Sequence, residues 1–469
     1  MHRPPVRALP RKTGREISFA ERIGRRNDRI GGKNGPIEAD CRTSGAGSVR
    51  TAVYNNKNCA PETVRFYPCR LQGVTEAPAS KSELHRALLL AALCGGNSRT
   101  QIRSYGACGE DVLATAACIR SLGGTAEQDG ELWTVSPCAG TDTAHIDCGE
   151  SGTTLRFLLP AASFFAKKCL FTGCGRLPER PIGPLTDALE KNGLRFSAKA
   201  LPFTVTGRMR AGDYTLPGNV SSQFISALII AAPLTGNAVR VRVTGRTESL
   251  GYIDMTRDAM ERFGVKTSCD ILQTERVYTV NANGYTAPAG ISVEGDWSSA
   301  LPFLALQRLG HAIRVEGLNA ASRQPDARCG RLFDRVGTGT DIDVSGCPDM
   351  MPVLAALAAC TEGETRITGA ARLRYKESDR LSSMTDVLTR LGVRVTERED
   401  GLTVFGGIVH GGMADAHRDH RVAMALAVLA CEADGPVTVT GFDCIEKSRP
   451  DFLSAFGALG GRFDELTVR

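Results

Sequence analysis

No stretch of this sequence is apolar for long enough to cross a bilayer. Runs such as 87–93 and 227–232 fall far below the roughly 20 residues that a spanning helix needs, so no membrane-spanning helix is indicated. Metal-ligand spacing is missing too: the sixteen Cys stand singly with no Cys-x-x-Cys pair, and the seven His form no cluster. The expectation is reduced thiols in a cytoplasmic protein rather than a disulfide or zinc framework. Charge of one sign is scarce as well. An excess of six positive charges over 469 residues is too small for a protein that tracks a nucleic-acid backbone, and it suits one that collects small anions. Methionine is absent between Met1 and Met209, so a shorter form would start at another codon, near Val53 or Val64.

What is present is a globular composition, 42% hydrophobic and 23% charged, in a chain longer than one core usually organises. Two domains are expected. The first 62 residues stand apart. They are rich in Arg, including Arg3, Arg7, Arg11 and Arg15, show no helical or strand period, and read as a basic, disordered extension without a packed core. Glu16, Glu21, Asp28, Glu38 and Asp40 among few Ser speak against a transit peptide. A nucleic-acid-binding arm is the competing reading, and a solvated charge run is the commoner one.

From about Phe66 one unit recurs six times. Each copy opens with a Ser- or Asp-led apolar run that reads as a buried helix, at Ser82–Leu93, Ser151–Ala162, Ser221–Ala232, Ser298–Leu306, Asp349–Ala359 and Asp419–Ala430. A second, amphipathic helix follows and ends at a Gly stop, namely Gly123, Gly193, Gly264, Gly337, Gly392 or Gly460, where a left-handed cap is expected. The stops lie roughly 70 residues apart, with one shorter step near Gly337. Short β-branched stretches such as 239–243 and 437–439 lie between the helices. The class is therefore α/β, and six units divide into two domains of three with a crossing near Gly295. Helix N-termini aimed into the cleft between two such domains would make it electropositive and ready for phosphate. Ser298 is expected to serve as a helix cap rather than as a ligand, and Trp297 as junction packing.

Charged and polar clusters stand where these units begin or turn. They are Ser80-Lys81-Ser82-Glu83-Leu84-His85-Arg86, Gly149-Glu150-Ser151-Gly152-Thr153-Thr154-Leu155-Arg156, Glu179-Arg180-Pro181-Ile182-Gly183, Val220-Ser221-Ser222-Gln223, Lys376-Glu377-Ser378-Asp379-Arg380, Asp419-His420-Arg421 and Lys447. In this order and spacing the set closely resembles the signatures of the 5-enolpyruvylshikimate-3-phosphate synthase family, from about Phe66 to the C-terminus.

The resemblance implies an inside-out α/β barrel architecture, with three βαβαββ-type units in each of two domains. It places residues 80–293 in an upper domain and residues 63–79 plus 294–469 in a discontinuous lower one, after the extension at 1–62. It implies transfer of the enolpyruvyl group of phosphoenolpyruvate to the 5-hydroxyl of shikimate 3-phosphate, with release of phosphate and with no metal or redox cofactor. The partners it implies are these two small molecules, without nucleic acid or membrane, for a monomer. Lys81, Gly152, Arg180, Gln223, Arg380, Arg421 and Lys447 correspond to the phosphoenolpyruvate set. Lys81, Ser82, Arg86, Ser221, Ser222, Gln223, Ser249, Asp349 and Lys376 correspond to the shikimate 3-phosphate set.

The chemistry explains these residue types. Both substrates carry a phosphate and a carboxylate, which Arg meets with a planar fork and Lys with a compact charge. Gly152 is expected to let backbone approach the smaller substrate. One proton must reach and leave C3 of the donor and another must leave the acceptor hydroxyl. Glu377 is the expected C3 acid/base and Asp349 the expected hydroxyl base, with Lys81 also catalytic. His420 stays open between orienting its neighbours and touching substrate. His85, Glu150 and Arg372 depart from the family's Asn at their positions, and Phe157 lies on the helix that Gly152 opens. A related transferase acting on UDP-N-acetylglucosamine uses a reactive Cys in the loop that here holds Cys174, but Cys174 is one residue too far from Arg180 and the segment 376–380 follows the shikimate branch.

Overall fold

The structure is a computed structural model that describes residues 60–273 and 275–466. Most of the basic extension, positions 1–59, lies outside the described residues. Ala60 already donates to Glu446 at 2.8 Å, and the Glu62 carbonyl accepts from Phe442 N at 2.9 Å.

One β-pattern recurs. In the sheet of Thr141–Asp147, Ala166–Thr172, Phe203–Gly207 and Leu194–Phe196, the first two strands are parallel and connected through the helix Gly152–Ala161. The third runs antiparallel to the second, and the fourth closes a hairpin on the third. The sheets led by Gly212–Pro217 and by Thr338–Asp343 repeat this order. Two further sheets complete it with a strand from far away in sequence: Gly290–Ser292 pairs with Thr100–Arg103, and Thr63–Tyr67 lies between Val437–Thr440 and Arg462–Leu466. The sixth is only the parallel pair Gln72–Glu76 and Ala312–Glu316. No hairpin intervenes between Gly337 and the next strand at Thr338, which accounts for the short step in the repeat.

The six apolar helices are buried as their composition requires, because a helix hydrophobic all round has no face for water. They lie in two hydrophobic cores. One draws on residues from Leu84 to Val293, and the other on Val64 to Leu71 together with Leu301 to Leu459. The chain passes between them twice, and the two passages touch. Ala79 bridges Gly295, Ser80 N donates to the Glu294 carbonyl at 2.8 Å, and Asp296 N donates to the Pro78 carbonyl at 2.7 Å.

Caps are made mostly as expected. Ser80, Ser151, Ser221 and Asp419 each accept from a backbone N–H in the first turn of their helices. Three expectations are corrected. The first helix, Lys81–Ala92, is capped by Ser80 and not by Ser82, which lies within its first turn. Ser298 is not the cap of its helix, which is Trp297–Arg308; Asp296 is, accepting from Ser298 N and Ser299 N, while the Ser298 hydroxyl bonds Asp326. A carboxylate two residues earlier reaches the free N–H groups that a hydroxyl inside the first turn cannot. Nor does Asp349 cap a helix. It stands in the 3₁₀ turn Pro348–Met350 ahead of Met351–Ala359, with its carboxylate turned to basic side chains.

All six Gly stops have positive φ, from 77° to 107°. Gly337→Ala is expected to destabilise more than Gly460→Ala. Both positions are left-handed, which costs a residue with a Cβ about 1–2 kcal/mol. At 337 the added Cβ would also run into the Glu362 carbonyl oxygen, whereas at 460 nothing lies within 4 Å. Urea denaturation should rank the variants in that order, and equal midpoints would show that the 361–363 turn yields without cost.

Candidate active site

All six inner helices begin at one cavity of about 550 Å³. Lys81 and Ser82, Gly152 and Thr153, Ser221 to Gln223, Asp296 and Ser298, Pro348 and Asp349, and His420 and Arg421 line it from the six helix starts. Helix N-termini carry partial positive charge and unpaired N–H groups, so their convergence favours anions before any side chain is counted. The side chains add to this: eight cationic groups line the space against five carboxylates.

Arg380 is the hub. It is 1% exposed and opens the helix Arg380–Arg390, behind its cap Asp379. Its Nε donates to Asp419 at 2.8 Å, Nη1 to Asp349 at 2.7 Å and Nη2 to Glu377 at 3.0 Å. Asp349 also meets Lys376 Nζ at 3.3 Å and Arg421 Nη2 at 3.5 Å. Burial alone would raise its pKa, but Lys376, Arg421 and Arg380 overcome that and hold it well below the usual carboxylate range. Glu377 is treated alike: burial opposes its charge, and Arg180, at 3.4 Å, with Arg380 keeps it ionised. Burial brings the Lys376 ammonium down to about 8 despite Asp349 beside it.

The first core supplies the facing wall. Lys81 Nζ pairs with Asp111 at 3.0 Å. Arg86 is buried, with its donors on Thr256, the Ser82 carbonyl and the Tyr252 carbonyl. Gln223 accepts from Arg156 Nη1 at 2.7 Å and donates to Thr153 Oγ1 at 2.8 Å. A Cβ on Gly152 would stand 2.5 Å from Arg156 Nη1 and 3.0 Å from the Arg180 guanidinium carbon. Gly152 therefore makes room for two guanidinium groups.

Of the residues singled out from sequence, Lys81, Ser82, Arg86, Gly152, Arg180, Ser221, Ser222, Gln223, Ser249, Asp349, Lys376, Glu377, Arg380 and Arg421 line this cavity. Lys447 does not; its Nζ lies 2.7 Å from Glu150, which is also outside the lining. His85 is buried beneath the wall, bonded to Thr115 at 2.7 Å, and burial pushes its imidazole down to about 3. Arg372 lines the cavity, pairs with Glu248 at 2.6 Å and donates to Ser249 Oγ. Phe157 is buried under the Arg86 guanidinium, 5.2 Å from its ring centre. Cys174 is exposed and outside the lining, and burial of its flank with nearby Glu150 raises its thiol pKa. His420 lines the cavity with neither ring nitrogen bonded to protein; burial, then Lys81 and Arg421, holds it neutral.

Sequence reasoning missed Arg156, Asp111 and Tyr252. Arg156 carried a signal, since it lies one turn after Gly152 on the same helix face. Asp111 and Tyr252 belong to second helices, and nothing local marks them. Among the described residues no group of His, Cys, Asp and Glu is placed to hold a metal ion, and no helix is long and apolar enough to cross a membrane.

Comparison with known proteins gives the chain's family. The family model described as EPSP synthase (3-phosphoshikimate 1-carboxyvinyltransferase) matches residues 67–338 and 331–456. The 3-phosphoshikimate 1-carboxyvinyltransferase of Clostridium kluyveri is 35% identical over 427 residues, covering 86% of this chain and 99% of its own. That of Halobacterium salinarum is 36% identical over 433 residues, covering 85% and 98%. Among solved structures, EPSP synthase from Acinetobacter baumannii superposes with a TM-score of 0.68 at 24% identity, over 86% of this chain and 99% of that one. The enolpyruvyl transferase NikO from Streptomyces tendae gives 0.67 at 17% identity, over 87% and 100%. These last two show a shared fold.

Removing the hub should be severe. Arg380→Ala leaves Asp349, Glu377 and Asp419 buried without their common partner, and breaking a buried pair in this way costs about 3–5 kcal/mol near pH 7. The parent's depressed carboxylates contribute stability above about pH 4 and lose it as pH falls through their folded pKa values. In the variant burial of Asp349 and Glu377 is less well opposed, so they take up protons as pH falls from about 7 toward about 4 while the parent's stay ionised, and the gap in unfolding free energy should narrow over that interval. Urea titrations at pH 7 and pH 4 check this; a gap that stays constant would place the loss in packing rather than charge.

Proposed function

Because the chain belongs to the EPSP synthase (3-phosphoshikimate 1-carboxyvinyltransferase) family, we propose how its cavity divides the labour of that reaction. The reaction moves the enolpyruvyl group of phosphoenolpyruvate onto the 5-hydroxyl of shikimate 3-phosphate and releases phosphate. The observation that carries the assignment of roles is the convergence of six helix starts and eight cationic side chains on one space with two ionised carboxylates among them.

Asp349, held ionised, is the base for the acceptor's 5-hydroxyl. As its proton leaves, the oxygen bonds to C2 of the donor and C3 receives a proton from Glu377, giving a tetrahedral adduct. Glu377 then takes a proton back from C3 while the C2–phosphate bond breaks, and the hydroxyl proton leaves with the phosphate. Glu377 must hold a proton for the first half. Arg180 and Arg380, which keep it ionised, are also donor ligands, so a bound donor draws their charge and lets the carboxylate protonate. Lys81, Gly152, Arg180, Gln223, Arg380 and Arg421 take the donor, with Lys447 reaching it by release from Glu150. Lys81, Ser82, Arg86, Ser221, Ser222, Gln223, Ser249, Asp349 and Lys376 take the acceptor. Arg156 backs the donor side by fixing Gln223.

We assign residues 80–293 to one domain and 63–79 with 294–469 to the other, because the two hydrophobic cores divide there. The protein is proposed to act as a cytoplasmic monomer on small molecules, without nucleic-acid or membrane partners. The fourteen free thiols among the described residues suit a reducing compartment.

Phosphate release should require phosphoenolpyruvate and shikimate 3-phosphate together, and release with UDP-N-acetylglucosamine in place of the latter would overturn the assignment. Glu377→Gln should lower turnover by roughly 10²–10⁴-fold. It should also slow solvent-deuterium entry at C3 of the enolpyruvyl group; exchange at the parent rate would pass the role to Lys81 or Asp349.

Lys376 generates a second test. With its ammonium at about 8, kcat/KM for the acceptor should fall as pH rises through that value. The limb should move to higher pH in kcat, because a bound phosphate stabilises the charge. An alkaline limb of unchanged position in Lys376→Arg would assign it to another group.

A further inference from the structure

Far from the cavity, Cys69 and Cys431 stand with sulfurs 4.0 Å apart. Their backbones are also joined, Cys69 N donating to the Cys431 carbonyl at 3.4 Å. A direct backbone hydrogen bond keeps two residues within the Cα separation, about 4.4–6.8 Å, that a disulfide requires. The sulfurs are thus held as neighbours by their backbones, about 2 Å beyond disulfide bonding distance.

The two thiols are unequal. Cys69, in the turn between Thr63–Tyr67 and Gln72–Glu76, is half-buried and reachable from solvent, whereas Cys431, in the last turn of His420–Glu432, is buried. The hydrogen bond between the Cys431 and Cys69 sulfurs favours the Cys69 thiolate, and the Arg462 backbone N–H, His311 and the Arg462 side chain add to it. Together they outweigh burial and bring the Cys69 thiol down to about 6. Cys431 is pushed up by the same pairing and by burial. Glu432 beside them is occupied by Arg70 at 3.0 Å and by His311 at 2.6 Å. An accessible thiolate over a protected thiol is the arrangement of an attacking and a resolving cysteine. Cys118 and Cys148, also neighbours, are both buried and lack the accessible member.

We propose that Cys69 and Cys431 form a modification site at which a small-molecule disulfide, such as oxidised glutathione, drives reversible closure of a protein disulfide. The Cys69 thiolate attacks one sulfur of the small disulfide, forming a mixed disulfide and expelling one small thiolate. Cys431 then gives up its proton and attacks the Cys69 sulfur, forming the Cys69–Cys431 bond and expelling the second. Two protein thiols are oxidised by two electrons, one small disulfide is reduced to two small thiols, and the protein's protons go to the leaving thiolates. The bond ties the N-terminal strand segment to the C-terminal helix across 362 residues. Cys431 lies ten residues along that helix from Arg421, about 15 Å away, so the bond strengthens the core without altering the cavity.

The test incubates the full chain in glutathione buffers of graded oxidised-to-reduced ratio, then quenches, unfolds and counts thiols. Peptides are mapped without reduction. The expected result is a fall of two from the sixteen thiols, a Cys69–Cys431 peptide pair, a raised thermal midpoint and turnover within about twofold of the reduced form. Cys69→Ser should keep both thiol count and midpoint unchanged across the ratios. Three results would overturn the proposal: no such peptide pair at the most oxidising ratio, Cys69 trapped only as its glutathione adduct, or Cys431 joined to Cys360 instead.

Discussion

The cavity depends on one guanidinium. Arg380 bonds three carboxylates that arrive from different parts of the chain, Glu377 from its own segment, Asp349 from the preceding unit and Asp419 from the next. Asp349 and Glu377 could not both stay ionised in that dry space without cations beside them, because burial and their mutual repulsion each raise the pKa of Asp349. Asp419 has a further duty as the cap that sets the start of the helix bearing His420 and Arg421. One side chain thus fixes two proposed proton carriers and the position of a proposed donor ligand. Its fully buried setting removes the freedom that makes surface ion pairs weak.

The same logic extends across the cleft. Arg180 reaches Glu377, Arg372 reaches Glu248 and Lys447 reaches Glu150. Each joins a residue packed with the first core to one packed with the second. The site carries its own counter-anions, so its cations are held in place by carboxylates of the protein. An arriving phosphate or carboxylate exchanges with them and does not have to organise loose side chains, which lowers the ordering cost of binding.

Features written in neighbouring residues were legible in the sequence. The Gly stops were readable because a helix ends locally, and the clusters at 80–86, 149–156 and 376–380 because a helix start and its ligands share a few positions. The repeat gave the α/β class for the same reason. What escaped was placed by distant chain. Asp111 and Tyr252 enter the cavity through second helices whose own patterns show only amphipathicity. Ser298 looked like a cap because it begins an apolar run, yet Asp296 two residues earlier wins the N–H groups with a full charge. Lys447 was singled out by itself, and its engagement with Glu150 spans 297 residues. Cys69 and Cys431 likewise reveal nothing by spacing.

The strand exchange between the halves has a consequence in time. Gln72–Glu76 waits for Ala312–Glu316, and Thr63–Tyr67 waits for Val437–Thr440 and Arg462–Leu466. A chain emerging from the ribosome in order can finish the core of residues 84–293 once Gly290–Ser292 has docked on Thr100–Arg103. The other core stays open until the last strand is made. The first strand made is therefore the last to be paired, and through most of synthesis its edges are exposed to mispairing, the condition under which nascent chains rely on chaperones.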